Sequence, residues 1–258
     1  MKVIDHISYR KENGFRGLGD LYLPDIVTPE TGAALLIHGG GWSALDKSSF
    51  AGVALWLCQE LGMAAYNINY RLCGQTPWPV CGDDCLEAGD FFLNSAIPEF
   101  QGFDRSRIVV IGASAGGHLA LMTGLRLPPE RVAGIVSISG IADMGVDFRE
   151  NPGRYECLFG HMPSREELRH AEPVSYVRKS SPPVLCTHEH HDNVVSIESA
   201  NRFLNNLHAR GNSAEAYFYD KDETGYSHRI WIPDSTPHKL YPDIEERIAD
   251  FIRRVMKK

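Results

Sequence analysis

Residues 107–122 constrain the fold more than any other stretch. Arg107-Ile108-Val109-Val110-Ile111 is short, apolar and β-branched, the composition of a buried strand. It runs into Gly112-Ala113-Ser114-Ala115-Gly116, and His118-Leu119-Ala120-Leu121-Met122 continues as a helix. Only small residues separate the two, so the chain must turn sharply from strand to helix, and glycine lets it do so. A G-x-S-x-G pattern in this setting is a nucleophile elbow, which lifts a serine hydroxyl above the edge of a sheet. Ser114 is therefore the candidate nucleophile. The competing reading is a tight strand–helix turn around a buried serine.

The rest of the chain alternates strand and helix patterns, which predicts an α/β fold: a mostly parallel sheet with helices on both faces. Residues 3–9 and 18–23 alternate like an antiparallel edge pair. Further strands are expected near 33–37, 63–69, 107–111, 132–138, 183–188 and 214–219. A helix near 48–61 places Phe50, Val53, Ala54, Leu57, Cys58 and Leu61 on one face. The last helix repeats the pattern with Ile244, Ile248, Phe251, Ile252 and Val255. Pro242 sits in its first turn, and Arg253, Arg254, Lys257 and Lys258 lie at its end.

A second motif follows the strand Ala33-Ala34-Leu35-Leu36-Ile37. His38-Gly39-Gly40-Gly41-Trp42 is an H-G-G-G loop, whose backbone amides join the amide after the nucleophile in an oxyanion hole. The donors here are Gly40, Gly41 and Ala115. His38 is expected to hold the loop by hydrogen bonds. Trp42 and Tyr70 are candidate substrate-binding walls, with Trp78 a weaker one.

With both motifs in this order, the chain resembles an α/β-hydrolase of the esterase/lipase group, close to the hormone-sensitive-lipase-like and feruloyl-esterase-like branches. Leu21-Tyr22-Leu23-Pro24, Asn69-Tyr70-Arg71-Leu72 and Phe103-Asp104-Arg105-Ser106-Arg107-Ile108 resemble further segments of that group. The resemblance implies a single domain over residues 1–258 with a short cap-like insertion at about 143–183. A short helix near Ser164–His170 is expected there. It also implies the triad order serine, acid, histidine. The acid falls at Asp192 in Glu189-His190-His191-Asp192-Asn193-Val194-Val195. The family usually has a glycine near 189 and a proline near 196, where this chain has Glu189 and Ser196, so Glu189 competes as the acid. The base falls at His228 in Gly225-Tyr226-Ser227-His228, which resembles the G-x-x-H arrangement of these esterases. His238 is the competitor.

No cofactor and no metal are expected. His188 to Asp192 cluster in sequence, but neighbours on a strand point to opposite faces and rarely converge on one ion. The six cysteines do not form a disulfide framework. Cys58 and Cys186 read as buried and reduced, while Cys73, Cys81 and Cys85 share one loop-to-helix region. A loop disulfide there would need an oxidising compartment. The net charge of −7 is dispersed, with no basic stripe for nucleic acid. No stretch approaches the roughly 20 apolar residues of a membrane span, and no apolar signal core opens the chain. A cytoplasmic protein with a small-molecule ester substrate is expected, with homo-oligomerisation left open.

The expected activity is serine carboxylic ester hydrolysis on short-chain, aryl, or acetylated or feruloylated carbohydrate esters. An arylformamidase of the N-formylkynurenine type is the alternative, since it shares an H-G-G-x-W loop. A non-catalytic binding protein of the same fold is a third reading.

Overall fold

Strands buried on both faces read as continuous apolar runs, and strands exposed on one face alternate. Both kinds occur here. The computed structural model describes residues 1–221, 228 and 230–257. Among them the strands are β1 (Lys2–Ser8), β2 (Leu18–Leu23), β3 (Ala33–Ile37), β4 (Ala64–Ile68), β5 (Ile108–Ala113), β6 (Val132–Ile138), β7 (Val184–Glu189) and β8 (Ala214–Tyr219). β3 to β7 are buried along their whole length. Alternate residues feed two cores. Leu35, Ile37 and Val110 pack on one side of the sheet, and Leu36, Val109 and Ile111 on the other.

The sheet order is β1-β2-β4-β3-β5-β6-β7-β8. The β1/β2 pair is antiparallel, as expected; β2/β4 is antiparallel as well, and the remaining pairs are parallel. Four of the expected strands coincide with the observed bounds, and the other four differ by one or two residues. Register decides where the site forms. Ile37 pairs with Gly112, and Ala113 pairs with Ile138. The glycine loop after β3 therefore lies beside the serine turn after β5, at the carboxyl edge where open α/β sheets bind ligands.

The helices are α1 (Ala51–Glu60), α2 (Val80–Asn94), α3 (Ala115–Arg126), α4 (Met144–Glu150), α5 (Pro152–Phe159), α6 (Arg165–Ala171), α7 (Ile197–Ala209) and α8 (Pro242–Val255). Val53, Ala54 and Leu57 of α1 share one core with Ile244, Ile248 and Phe251 of α8. Phe92 of α2, Leu119 of α3 and Phe203 of α7 share the other. Pro242 occupies the first turn of α8 and Arg253 and Arg254 its last. Lys258 lies outside the described residues.

Two expectations are refined. The helix read near 48–61 begins as a 3₁₀ turn, Lys47–Phe50, capped by the Asp46 side chain, which accepts from Ser48 N–H. Lys47 anchors the start of this turn. Its amine pairs with buried Asp20 at 2.5 Å, and its backbone N–H and C=O bond to the Asn69 and Asn67 side chains. The segment read as carrying one short helix carries three. α6 starts at Ser164 with a reciprocal capping box to Glu167. α4 is capped by Asp143, and α5 opens on Pro152.

No helix among the described residues is long and apolar enough to cross a membrane.

Phe251 is fully buried, and its ring lies 2.9 Å from where a Cβ on Gly134 would sit. Phe251→Ala should cost about 3–5 kcal/mol in urea unfolding, with the slope of the transition unchanged. A loss below about 1 kcal/mol would mean that α8 does not pack on β6 in this way.

Candidate active site

Ser114 joins β5 to α3 with φ 55° and ψ −125°, a conformation that non-glycine residues rarely adopt. Neighbouring contacts hold it there. A Cβ on Gly112 would stand 2.0 Å from the Gly116 carbonyl oxygen, and one on Gly116 2.2 Å from that of Ile37. The helix thus starts directly against the end of β3. Ser114 N–H donates to Ile138 O at 2.8 Å, which ties the turn to β6. Ala115 is the first residue of α3, so its amide has no acceptor within the helix.

The glycine loop turns over this helix start. Gly40, Gly41 and Trp42 have φ of 106°, 57° and 58°, which only glycine adopts without strain at the first two. Gly40 O accepts from Ser43 and Ala44 N–H. His38 Nδ1 lies 2.7 Å from Gly39 O, and its ring stacks on Tyr70 at 4.3 Å. Tyr70 is fully buried, and its hydroxyl donates to the carbonyls of His38 and Gly39. Its expected place in the substrate wall is therefore corrected: Tyr70 supports the loop from beneath. Its side chain is packed inward, where the hydroxyl finds its hydrogen-bond partners on the loop's own carbonyls.

Trp42 is also fully buried, and its indole N–H donates to His118 Nδ1 at 3.2 Å. His118 Nε2 lies 2.7 Å from Ala171 O. These two partners require a neutral ring with the proton on Nε2. One histidine on α3 thereby joins the glycine loop to the end of α6. Burial pulls the pKa of His118, and of His38, down to about 4. Sequence reading did not single out His118; its signal was a histidine four residues after Ser114, just ahead of the apolar run Leu119-Ala120-Leu121-Met122. Trp78 is half-buried, with its ring 5.7 Å from that of His118.

His228 Nδ1 lies 2.7 Å from Asp192 Oδ2. Asp192 Oδ1 accepts from Val194 and Val195 N–H, each at 2.9 Å. His188, fully packed, brings Nε2 within 3.3 Å of Asp192 Oδ2 and 2.8 Å of Val195 O. Burial acts to raise the Asp192 carboxyl, but the hydrogen bonds from His188 and His228 outweigh it and hold it well below the usual carboxylate range. Glu189 is buried too, but it accepts from the backbone amides of His191 and Lys221. The carboxylate beside His228 is thus Asp192. His238 stacks on Trp231 at 5.8 Å instead. Gly225, Tyr226 and Ser227 of the expected G-x-x-H arrangement lie outside the described residues. No three His, Cys, Asp or Glu side chains come together as a metal site among the described residues.

Two cavities meet at Ser114 and Gly41. One, about 250 Å³, is also lined by Trp42, Ala115, Ile141, Arg154, Cys157 and Val194. The other, about 350 Å³, is lined by Gly40, Phe50, His228, Ile230, Trp231 and His238. His228 Nε2 is buried and without a hydrogen-bond partner among the described residues. Sequence reading missed Ile141, Arg154, Cys157 and Val194, which are far apart in the chain. A groove of about 560 Å³ between α1 and α8 holds none of these residues.

A family model described as BD-FAE matches residues 19–207. Esterase LipC of Mycobacterium tuberculosis is 27% identical over 215 residues, covering 75% of this chain and 52% of that protein. Ethyl acetate hydrolase of Pseudomonas putida is 35% identical over 113 residues, covering 43% of this chain and 35% of that protein. The chain thus spans a third to a half of the length of these two relatives. A truncated carbohydrate esterase from gut microbiota superposes with a TM-score of 0.84 at 21% identity, covering 100% of this chain and 97% of that one. An acetyl ester-xyloside bifunctional hydrolase from Caldicellulosiruptor lactoaceticus gives 0.79 at 21% identity, covering 97% and 96%. The fold is that of the α/β-hydrolases.

The buried neutral histidines make stability depend on pH. His118 and His38 have folded pKa values near 4, against 6.5 in an unfolded chain. The unfolded state therefore binds the proton first as pH falls. Their contribution is complete above about 6.5 and is lost between 6.5 and 4, worth about 3 kcal/mol each at the limit. His118→Gln should be less stable than wild type at pH 7.5 but should lose less stability on going to pH 4.5, as measured by urea unfolding. Equal losses in the two proteins would contradict the neutral His118 bridge.

Proposed function

Since the chain belongs to the BD-FAE family, we propose that it is a serine carboxylic ester hydrolase working through Ser114, His228 and Asp192. The observation that carries this reading is the Asp192–His228 bond at 2.7 Å, with His228 lining a cavity that Ser114 shares and its far nitrogen without a partner among the described residues. A serine at its ordinary pKa is a weak nucleophile and needs such a base, oriented by an acid.

His228 takes the Ser114 proton as the hydroxyl attacks the ester carbonyl. Asp192 fixes the ring so that Nε2 faces the serine, and it stabilises the imidazolium that forms. The amides of Gly40, Gly41 and Ala115 hold the oxyanion. Each such donor is worth about 2.7–4 kcal/mol when charge develops against it. His228 then protonates the leaving alcohol, and water, activated in the same way, releases the acyl group.

The smaller cavity takes the acyl group. At about 250 Å³, walled by Ile141, Val194 and the buried edge of Trp42, it suits short acyl chains. The larger cavity lies on the His228 side and takes the alcohol. The stacked Trp231–His238 pair and Phe50 offer flat apolar faces to an aryl or sugar ring. Acetylated or feruloylated carbohydrate is the proposed natural class; the structural neighbours include a carbohydrate esterase and an acetyl ester-xyloside hydrolase. α4, α5 and α6 act as a partial lid, since Arg154 and Cys157 of α5 border the acyl side.

The test is turnover of p-nitrophenyl esters from acetate to decanoate. Wild type should prefer acetate to butyrate over decanoate. Ser114→Ala should lose at least about 10³-fold in kcat, and Asp192→Asn on the order of 10³–10⁴-fold, with the fold intact by circular dichroism. Retained turnover in Ser114→Ala would remove the assignment.

A further inference from the structure

Cys73 and Cys157 are 84 residues apart in sequence, yet their Sγ atoms lie 3.3 Å apart and unbonded. Cys73 is buried in the loop between β4 and α2, and Cys157 is exposed on α5. Cys157 also lines the cavity of about 250 Å³ that contains Ser114. Sequence reading grouped Cys73 with Cys81 and Cys85 and did not single out Cys157. The structure supplies the long-range pairing.

We propose that Cys157 and Cys73 form a thiol modification site that takes a low-molecular-weight disulfide and closes to an internal disulfide, fixing the wall of the Ser114 cavity. Disulfide bonding requires the two sulfurs to approach about 1.3 Å closer, to near 2.0 Å. Rotation of the exposed Cys157 side chain supplies part of that movement.

The two thiols differ in the way the exchange needs. Cys157 is reachable from solvent, so its thiolate attacks one sulfur of an incoming RS–SR. The S–S bond of the reagent breaks, RS⁻ leaves, and Cys157–S–SR remains. Cys73 then attacks Cys157 Sγ at close range. Its proton passes to the second departing RS⁻, and the Cys73–Cys157 bond forms. In sum two protein thiols are oxidised, and one RS–SR is reduced to two RSH. Burial pushes the Cys73 thiol up to about 12. Cys73 therefore does not compete for reagent in solution and reacts only with the neighbour already placed against it.

The bond would join three parts of the site. Cys73 N–H donates to Trp42 O at 2.9 Å, at the end of the glycine loop. Three residues before Cys157, Arg154 pairs with buried Asp147 and donates to Val194 O, in the loop that carries Asp192. A disulfide between Cys73 and Cys157 thus couples the glycine loop and the acid loop through α5, beside the proposed acyl pocket. The kinetic consequence rests on the esterase reading; the chemistry of the thiols does not.

The experiment treats the protein with glutathione disulfide and maps its cysteine peptides by mass spectrometry. Wild type should yield a Cys73–Cys157 cross-linked pair, without glutathione retained on Cys157, and dithiothreitol should reverse it. Cys73→Ala, which keeps a small apolar group at the buried position, should instead accumulate glutathione on Cys157. Cys157→Ser, altered at an exposed position, should give neither product. Stable glutathione on wild-type Cys157, or pairing of Cys157 with Cys81 in place of Cys73, would overturn the proposal. On p-nitrophenyl butyrate the oxidised wild type should show a severalfold change in KM relative to the reduced form, while Cys157→Ser stays unchanged on the same treatment. Identical kinetics in the two wild-type forms would overturn the fixing of the cavity wall. Should the protein hydrolyse no ester at all, the peptide map still decides the thiol chemistry, and the two failures remain separate.

Discussion

The turn at Ser114 is the constraint from which the rest of the site follows. Its backbone lies in a rarely populated region because α3 begins directly against the end of β3, with Gly116 pressed on the Ile37 carbonyl. That contact needs β3 and β5 in register, which their apolar residues secure by packing on both faces of the sheet. The strain of roughly 1–3 kcal/mol at such a residue persists only because the surrounding structure over-determines it. The same contact places the glycine loop, which continues from Ile37, over the first amides of α3.

Around this turn the loops are held by buried charged groups that are paired. Lys47 and Asp20 pair beneath the glycine loop, next to Asn67 and Asn69. Asp84, fully buried on α2, accepts three bonds from Arg71 and so pins the loop that follows β4. Asp147 accepts from Arg154 and Tyr155 and fixes α4 to α5. An isolated charge in these positions would cost several kcal/mol, so each pair sets one geometry for its loop. Asp192 follows the same logic. Two backbone amides and two histidines surround it, and His228 is the member of that set that reaches the cavity with Ser114.

Much of this was legible in the sequence, for reasons that differ by element. β3 and β5 are read from continuous apolar runs, and the elbow from its glycines, because local sterics alone dictate both. Asp192 and His228 were placed by motif order, and the geometry brings them to each other, whereas Glu189 turns to backbone amides. Tyr70 was misread because its phenol could serve a substrate or a carbonyl equally well, and only packing assigns it to His38 and Gly39. His118 and His188 carry no motif, since their partners, Trp42 with Ala171 and Asp192 with Val195, are set by tertiary contact. The wall of the smaller cavity was invisible for the same reason: Ile141, Arg154, Cys157 and Val194 meet only after α4 and α5 have folded over the sheet edge. The Asp143 and Pro152 signals for those two helices were present but weak.

The central claim is that one serine is activated by one histidine. Labelling with a fluorophosphonate probe, followed by peptide mapping, tests it most directly, because the probe requires an activated serine and no knowledge of the natural substrate. The account predicts a single adduct on Ser114 in wild type, and labelling slowed by orders of magnitude in His228→Ala. An adduct on another serine, or labelling of Ser114 at an undiminished rate without His228, would contradict it.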